Sequence, residues 1–215
     1  MDNETHEVKM KKKSCAIALL LLANLAAHGQ STTVNVNGGP SLRDVTYNGL
    51  PLADGNYVEV GYFNSGFDVQ GNAFNVPTLA AAWHGLGSTP ISTIFGEPGR
   101  FGGNLTTSDP IFSGQKICLW IFKTSNNGDP AASAYANVLG YGLYSATGAN
   151  WLFPAFGAVP PANMTSVTSS EVNQAYYGTF DPAHLILQPV PEPSTLLLLA
   201  ASGSLLWFLR KGKRG

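Results

Sequence analysis

The sequence predicts an all-β protein, a single β-sandwich of jelly-roll type with one or two short helices, followed by a C-terminal transmembrane helix. Three observations predict it. Short runs rich in β-branched and aromatic residues alternate with Gly, Pro and Asn turn signals, the pattern of a sandwich or barrel. The 215 residues include 24 Gly and are 11% aromatic but only 12% charged, which suits many short strands and many tight turns. An uncharged apolar stretch, Leu196 to Leu209, stands almost at the end of the chain.

The chain opens with Lys9, Lys11, Lys12 and Lys13, then an apolar run from Ala16 to Leu22 that continues weakly to Ala27. Ala27-His28-Gly29 places small residues where signal peptidases cut, so residues 1–29 read as a signal peptide cleaved before Gln30, with cleavage after Ala27 as the alternative. Met10, directly before the lysine run, is an alternative start. Cys15 lies early in the apolar run, which is not the placement of a lipoprotein cysteine.

Residues 30–188 form the β-rich extracytoplasmic domain. Thr32–Val36 and Leu42–Tyr47 flank Asn37-Gly38-Gly39-Pro40 and are expected to form a first hairpin or turn. Asn48-Gly49 marks another turn. Tyr57–Phe63 alternates apolar residues and is expected to be a half-buried strand. Thr78 can cap a short helix over Leu79–Trp83, with Gly85 as its stop. Lys116–Phe122 is nearly continuous in apolar residues and is expected to be a central strand covered on both faces. Asn126-Asn127-Gly128-Asp129-Pro130 is a strong turn. Val138–Ser145 reads as the next strand, with Gly140 and Gly142 marking a bulge or a close backbone approach. Ser169 or Ser170 can cap a second helix over Glu171–Tyr176, and His184–Leu187 reads as the last strand.

Charge separates the domain from its ends. Eight of the twelve basic residues lie in the two terminal segments. Between Gln30 and Pro189 there remain Arg43, Arg100, Lys116 and Lys123 against nine carboxylates, a formal charge of −5. Such a surface argues against nucleic acid or anionic lipid as partners. Cys118 is the domain's one cysteine, so no internal disulfide forms. In Ile117-Cys118-Leu119-Trp120 it reads as a small core residue.

Residues 189–215 have three parts. Val190-Pro191-Glu192-Pro193 is stiff, because each proline fixes its own φ and restricts the residue before it. Ser194 or Thr195 can cap a helix over 194–209, which rises roughly 24 Å at ~1.5 Å per residue. That is short against a hydrocarbon core of ~30 Å, and it spans if the flanking residues reach into the interfaces. Trp207 fits an interfacial anchor. Arg210, Lys211, Lys213 and Arg214 follow as a basic stop-transfer cluster, which the positive-inside rule keeps in the cytoplasm with the rest of the chain outside.

This order of parts resembles the PEP-CTERM sorting signal of exported bacterial proteins. The matching residues are Val190-Pro191-Glu192-Pro193-Ser194-Thr195, the apolar segment Leu196–Leu209 and the basic end Arg210–Arg214. The resemblance implies recognition by an exosortase, a membrane-embedded transpeptidase-like enzyme that cuts near Pro-Glu-Pro and releases or transfers the domain. It implies the inner membrane as a transient location and the cell surface or extracellular matrix as the destination, with extracellular polysaccharide as a candidate partner.

Catalytic patterns are sparse. The sequence has no zinc-protease His spacing, no Cys pair, no phosphate loop and no G-x-S-x-G elbow. No metal, cofactor or catalytic residue is assigned, and the chain is not expected to be an enzyme. His84 and His184 stand alone. Nine carboxylates allow a glycosidase pair after folding, for example Glu59 with Glu97 or Asp109. Asn126, Asn127 and Asp129 could offer oxygens to calcium, although a bare turn explains them. Trp83 and Trp151 are the candidate ligand-stacking residues for sugar rings, set against the alternative that aromatic residues here fill the core.

Overall fold

The computed structural model describes residues 31–39, 41–158, 160 and 162–190. The chain runs through β1 (Thr32–Asn37), β2 (Asp44–Tyr47), β3 (Leu50–Pro51), β4 (Tyr57–Phe63), a helix α1 (Val76–Ala82), β5 (Trp83–Ile94), β6 (Glu97–Thr107), β7 (Cys118–Thr124), β8 (Val138–Ser145), β9 (Met164–Thr168), β10 (Gln174–Tyr177), β11 (Thr179–Phe180) and β12 (His184–Pro189). Short 3₁₀ turns punctuate the connections at Pro110–Phe112, Ala131–Ser133, Ala149–Trp151 and Ser169–Glu171. The expected all-β class holds.

The two-sheet jelly roll does not describe the pairing. The strands follow one hydrogen-bonded path, β3-β2-β12-β8-β7-β4-β5-β6-β1-β9, with β10 added beside β8 and β11 beside β12. The path curls so that its ends approach. Gly99 of β6, at φ +75°, lies so close to β2 that a Cβ there would stand 2.6 Å from the Val45 carbonyl. Only a residue without a side chain permits that approach. The Arg100 guanidinium beside it donates to the Leu42 carbonyl.

Curling creates two apolar compartments, and strand alternation assigns residues to each. Val58 and Val60 of β4 and Leu119 and Ile121 of β7 point inward, to a core shared with Val34, Val36, Val45, Phe101, Trp151 and Leu185. Phe63, Cys118, Trp120, Phe122, Tyr141 and Leu143 point outward, where α1 covers them with Val76 and Leu79. β7 is therefore covered on both faces, as its continuous apolar run predicts. β4 differs from expectation. It is buried along nearly its whole length rather than half-buried, because the outer face of its alternating pattern meets a second aromatic layer.

Several local expectations are corrected. β1 and β2 form no hairpin. β1 pairs antiparallel with β6 and parallel with β9, while β2 pairs parallel with β12. Long-range pairing thus overrides the local turn signal. The helix starts at Val76 and is capped by Asn75, whose Oδ1 accepts from the Thr78 N–H at 3.1 Å. Pro77 in its first turn supplies a φ already suited to helix. Trp83 then leaves the helix as the first residue of β5, and Gly85 lies inside that strand. The second expected helix is a single 3₁₀ turn. Thr168 and Glu171 form a capping box around it, and Gln174–Tyr177 is strand. The β5–β6 hairpin had no counterpart in the sequence reading. Its turn, Phe95-Gly96 at φ 51° and 81°, is two residues in the left-handed region, the geometry that matches strand twist.

Other expectations match. Asn48-Gly49 turns β2 into β3 with both φ values positive. Gly140 is a close approach, since a Cβ there would meet the Tyr47 ring at 2.4 Å and the Gln188 carbonyl at 2.8 Å. No helix among the described residues is long and apolar enough to cross a membrane. The segment predicted to do so, 194–209, lies outside the described residues, as does the expected signal peptide, 1–29.

Candidate functional site

Glu59 occupies the middle of β4 and, by alternation, faces the outer compartment. Across the strand pair its register partner on β7 is Trp120, and on β5 it is Ser88. The residue is 6% exposed, a low value for a carboxylate. Tyr135, in the loop between β7 and β8, donates its hydroxyl to Glu59 Oε2 at 3.1 Å and approaches Oε1 at 3.3 Å. Tyr135 sits in the left-handed region at φ 64°, and the preceding turn at Ala131–Ser133 aims its ring back over the sheet. That ring stacks on Trp120 at 5.3 Å between centroids and 14° between planes.

Trp83 forms the adjoining wall. Its indole lies against Phe63 and Trp120, with centroids 5.0 Å and 5.4 Å away. Gly61 makes room for it, because a Cβ there would meet the ring at 2.7 Å. The Trp83 N–H is beside the Glu59 carboxylate yet finds no hydrogen-bond partner. Together Glu59, Trp83, Leu86, Ser88, Asp129 and Tyr135, with glycines 85 and 87, line a cleft of ≈ 320 Å³, at the small end of ligand-site volumes of roughly 300–1,000 Å³.

The electrostatics of this cleft are unbalanced. Burial raises the Glu59 pKa to about 7, the Tyr135 hydrogen bond partly opposes the shift, and the Asp129 charge reinforces it. Burial also raises the Tyr135 hydroxyl, again with Glu59's charge adding to the effect. A carboxyl shifted by burial in a cleft marks a candidate functional position.

The other candidates fare differently. Trp151 is 1% exposed, and its Nε1 donates to Glu171 at 3.2 Å. It is a core residue with no free face for a sugar, a correction to its stacking role. Trp83 is partly exposed on the cleft wall. Glu97 is held by Arg100 at 2.6 Å, and Asp109 caps the Pro110–Phe112 turn through the Ile111 N–H. Asp129, which the sequence places in a turn and among possible calcium oxygens, is the carboxylate that shares the cleft with Glu59. Sequence distance hid this pair, since 70 residues, with α1, β5, β6 and β7 among them, separate the two. Asn126 accepts from Gly128 and Asn137, and Asn127 accepts from Asn56 and Lys123. An ammonium therefore already occupies the oxygen set suggested for calcium. Among the described residues no group of three His, Cys, Asp or Glu side chains converges as a metal site.

His84 stacks on Tyr62 at 4.7 Å, and His184 pairs with Asp181 at 3.0 Å. The Cys118 thiol is buried, and burial pushes its pKa up to about 12, which leaves it inert as a nucleophile.

A second cleft, of ≈ 350 Å³, lies between the 63–69 loop and residues 114–118. Its one cation, Lys116, is taken up by Gln174.

The tail emerges where β12 ends. The Val190 N–H donates to the Leu139 carbonyl at 3.0 Å, the last backbone tie to the sheet among the described residues. Of the sorting residues only Val190 is described. Pro191, Glu192, Pro193, Ser194, Thr195, Arg210, Lys211, Lys213 and Arg214 lie outside the described residues. No curated protein and no solved structure matches the chain. A family model does match its end: residues 189–214 correspond to the PEP-CTERM protein-sorting motif, the signal that an exosortase substrate carries.

Proposed function

We propose that this exported protein is held in the cytoplasmic membrane by its tail, processed by an exosortase, and delivered to the cell surface or extracellular matrix, where the β domain has a structural or adhesive role. The observation that carries the reading is the sorting motif at residues 189–214. It begins at the last residue of the last strand, so that cutting near Pro-Glu-Pro would leave the sheet whole. The orientation is domain out and basic end in, on the asymmetry of Arg210–Arg214. Glu97 and Asp109 are engaged locally, and Glu59 and Asp129 share a small cleft with aromatic walls.

The deciding experiment is the intact mass of the surface and medium forms in cells with and without exosortase activity. A species from near Gln30 to near Pro-Glu-Pro, seen only with active enzyme, is expected. A full-length tail in the membrane fraction under both conditions would refute processing.

The second reading is a carbohydrate-binding module for extracellular polysaccharide. It is favoured by the partly exposed Trp83 beside a hydrogen-bonding carboxyl, since sugar sites pair a flat apolar face with convergent polar groups. Retention on purified matrix polysaccharide, lost on Trp83→Ala, tests it.

A further inference from the structure

We infer that the Glu59 cleft binds a primary ammonium group carried on a hydroxyl-rich scaffold, the chemistry of an amino sugar. The inference rests on the carbohydrate reading above and deepens it by assigning the ligand's charge.

The first ground is an uncompensated carboxylate. Glu59 is 6% exposed, and its side chain is met by the Tyr135 hydroxyl, with the Trp83 indole N–H beside it, both neutral groups. Every basic side chain of the described domain is engaged elsewhere. Arg43 donates to the Val172 carbonyl at 2.6 Å. Arg100 pairs with Glu97, Lys116 with Gln174, and Lys123 with Asn127. Both histidines are likewise engaged elsewhere, His84 with Tyr62 and Asn64 and His184 with Asp181. Burying a carboxylate without a counter-charge is costly, and the fold gains nothing from it. An amide or an apolar residue at position 59 would serve the sheet better.

The second ground is the composition of the cleft. Asp129 stands on the same wall, with Oδ1 bonded to the Ala131 N–H. The remaining walls include the Trp83 indole and the Tyr135 ring, two faces that attract cations. A side chain at Gly85 would begin 3.2 Å from Trp83 Nε1, so the glycine keeps that edge of the indole clear. Ser88 adds a hydroxyl. A neutral sugar would stack on Trp83 but leave two carboxylates without a counter-charge. An acidic sugar would be repelled. An ammonium satisfies both carboxylates and the aromatic faces at once. It would also draw the proton off Glu59, whose pKa near 7 leaves it poised between forms.

The test is titration of the purified full chain, in mild detergent, with a glucosamine oligomer and with its N-acetylated counterpart. Calorimetry at slightly acidic pH follows binding, and heats measured in buffers of different ionisation enthalpy report proton release. The glucosamine oligomer is expected to bind about tenfold more tightly or better, with a proton released, and Glu59→Gln is expected to abolish that preference. Asp129→Asn keeps the turn-capping oxygen and is expected to weaken the preference, which provides a second variant should Glu59→Gln misfold. Equal affinity for the two oligomers, or a preference untouched by both variants, would overturn the ammonium assignment while sparing the sugar reading. Failure of both oligomers to bind would overturn both.

Discussion

Glu59→Gln is expected to make the domain more stable at neutral and alkaline pH, and the size of the gain follows from the site. The wild-type carboxyl has a folded pKa of about 7 against an ordinary value of 4.5, chiefly because burial disfavours the anion. Folding therefore binds a proton in this interval. The stability that Glu59 contributes is fully present below about pH 4.5, falls as pH rises, and is completely lost above about pH 7. At about 1.4 kcal/mol per unit, the loss is about 3 kcal/mol. Glutamine is nearly isosteric and keeps an oxygen for the Tyr135 hydroxyl, but it has no proton to lose. Urea unfolding of wild type and variant, followed by tryptophan fluorescence, should give a difference near zero at pH 4 that widens to about 3 kcal/mol in favour of the variant by pH 8. A difference that stays constant across that range would refute the claim that Glu59 is buried without a counter-charge.

Other expectations can be checked with simpler variants. Gly140→Ala forces a methyl group into the Tyr47 ring and the Gln188 carbonyl and should cost about 1–3 kcal/mol in chemical unfolding. Gly102→Ala is the control, because its Cβ would meet nothing nearer than the Val36 carbonyl at 3.8 Å, and its melting temperature should stay close to wild type. Trp151→Ala should destabilise by about 3–5 kcal/mol through the cavity it leaves, so any ligand loss it causes should be accompanied by an altered near-UV circular dichroism spectrum. Cys118, buried and with its thiol raised to about 12, should resist alkylation at mildly alkaline pH until denaturant is added, as read by mass spectrometry.

The sequence by itself determined the features that depend on local chemistry. The apolar run through Ile117–Phe122 admits only a strand buried on both faces. Asn48-Gly49 supplies the left-handed residues of a two-residue turn, and Gly140 with Gly142 marks a bulge or a close approach, which the fold resolves at Gly140 as a contact that no side chain fits. The tail is likewise local, a linear signal in which proline stiffness, apolar length and terminal charge are read in order, so it was legible without coordinates. Tertiary structure decided the rest. Whether β1 joins β2 or β6 depends on pairing energy summed over strands far apart in sequence, which a turn signal between them does not contain. Trp83 and Trp151 look alike in sequence, each beside small residues, yet one lines a cleft and the other is sealed in the core. Curling of the sheet, and the layer packed outside β4, made that distinction. The same curling brought Glu59 of β4, Asp129 and Tyr135 of the β7–β8 connection, and Trp83 of β5 to one cleft. Burial and the absence of a nearby cation, both properties of the folded surroundings, then set the charge of that carboxyl.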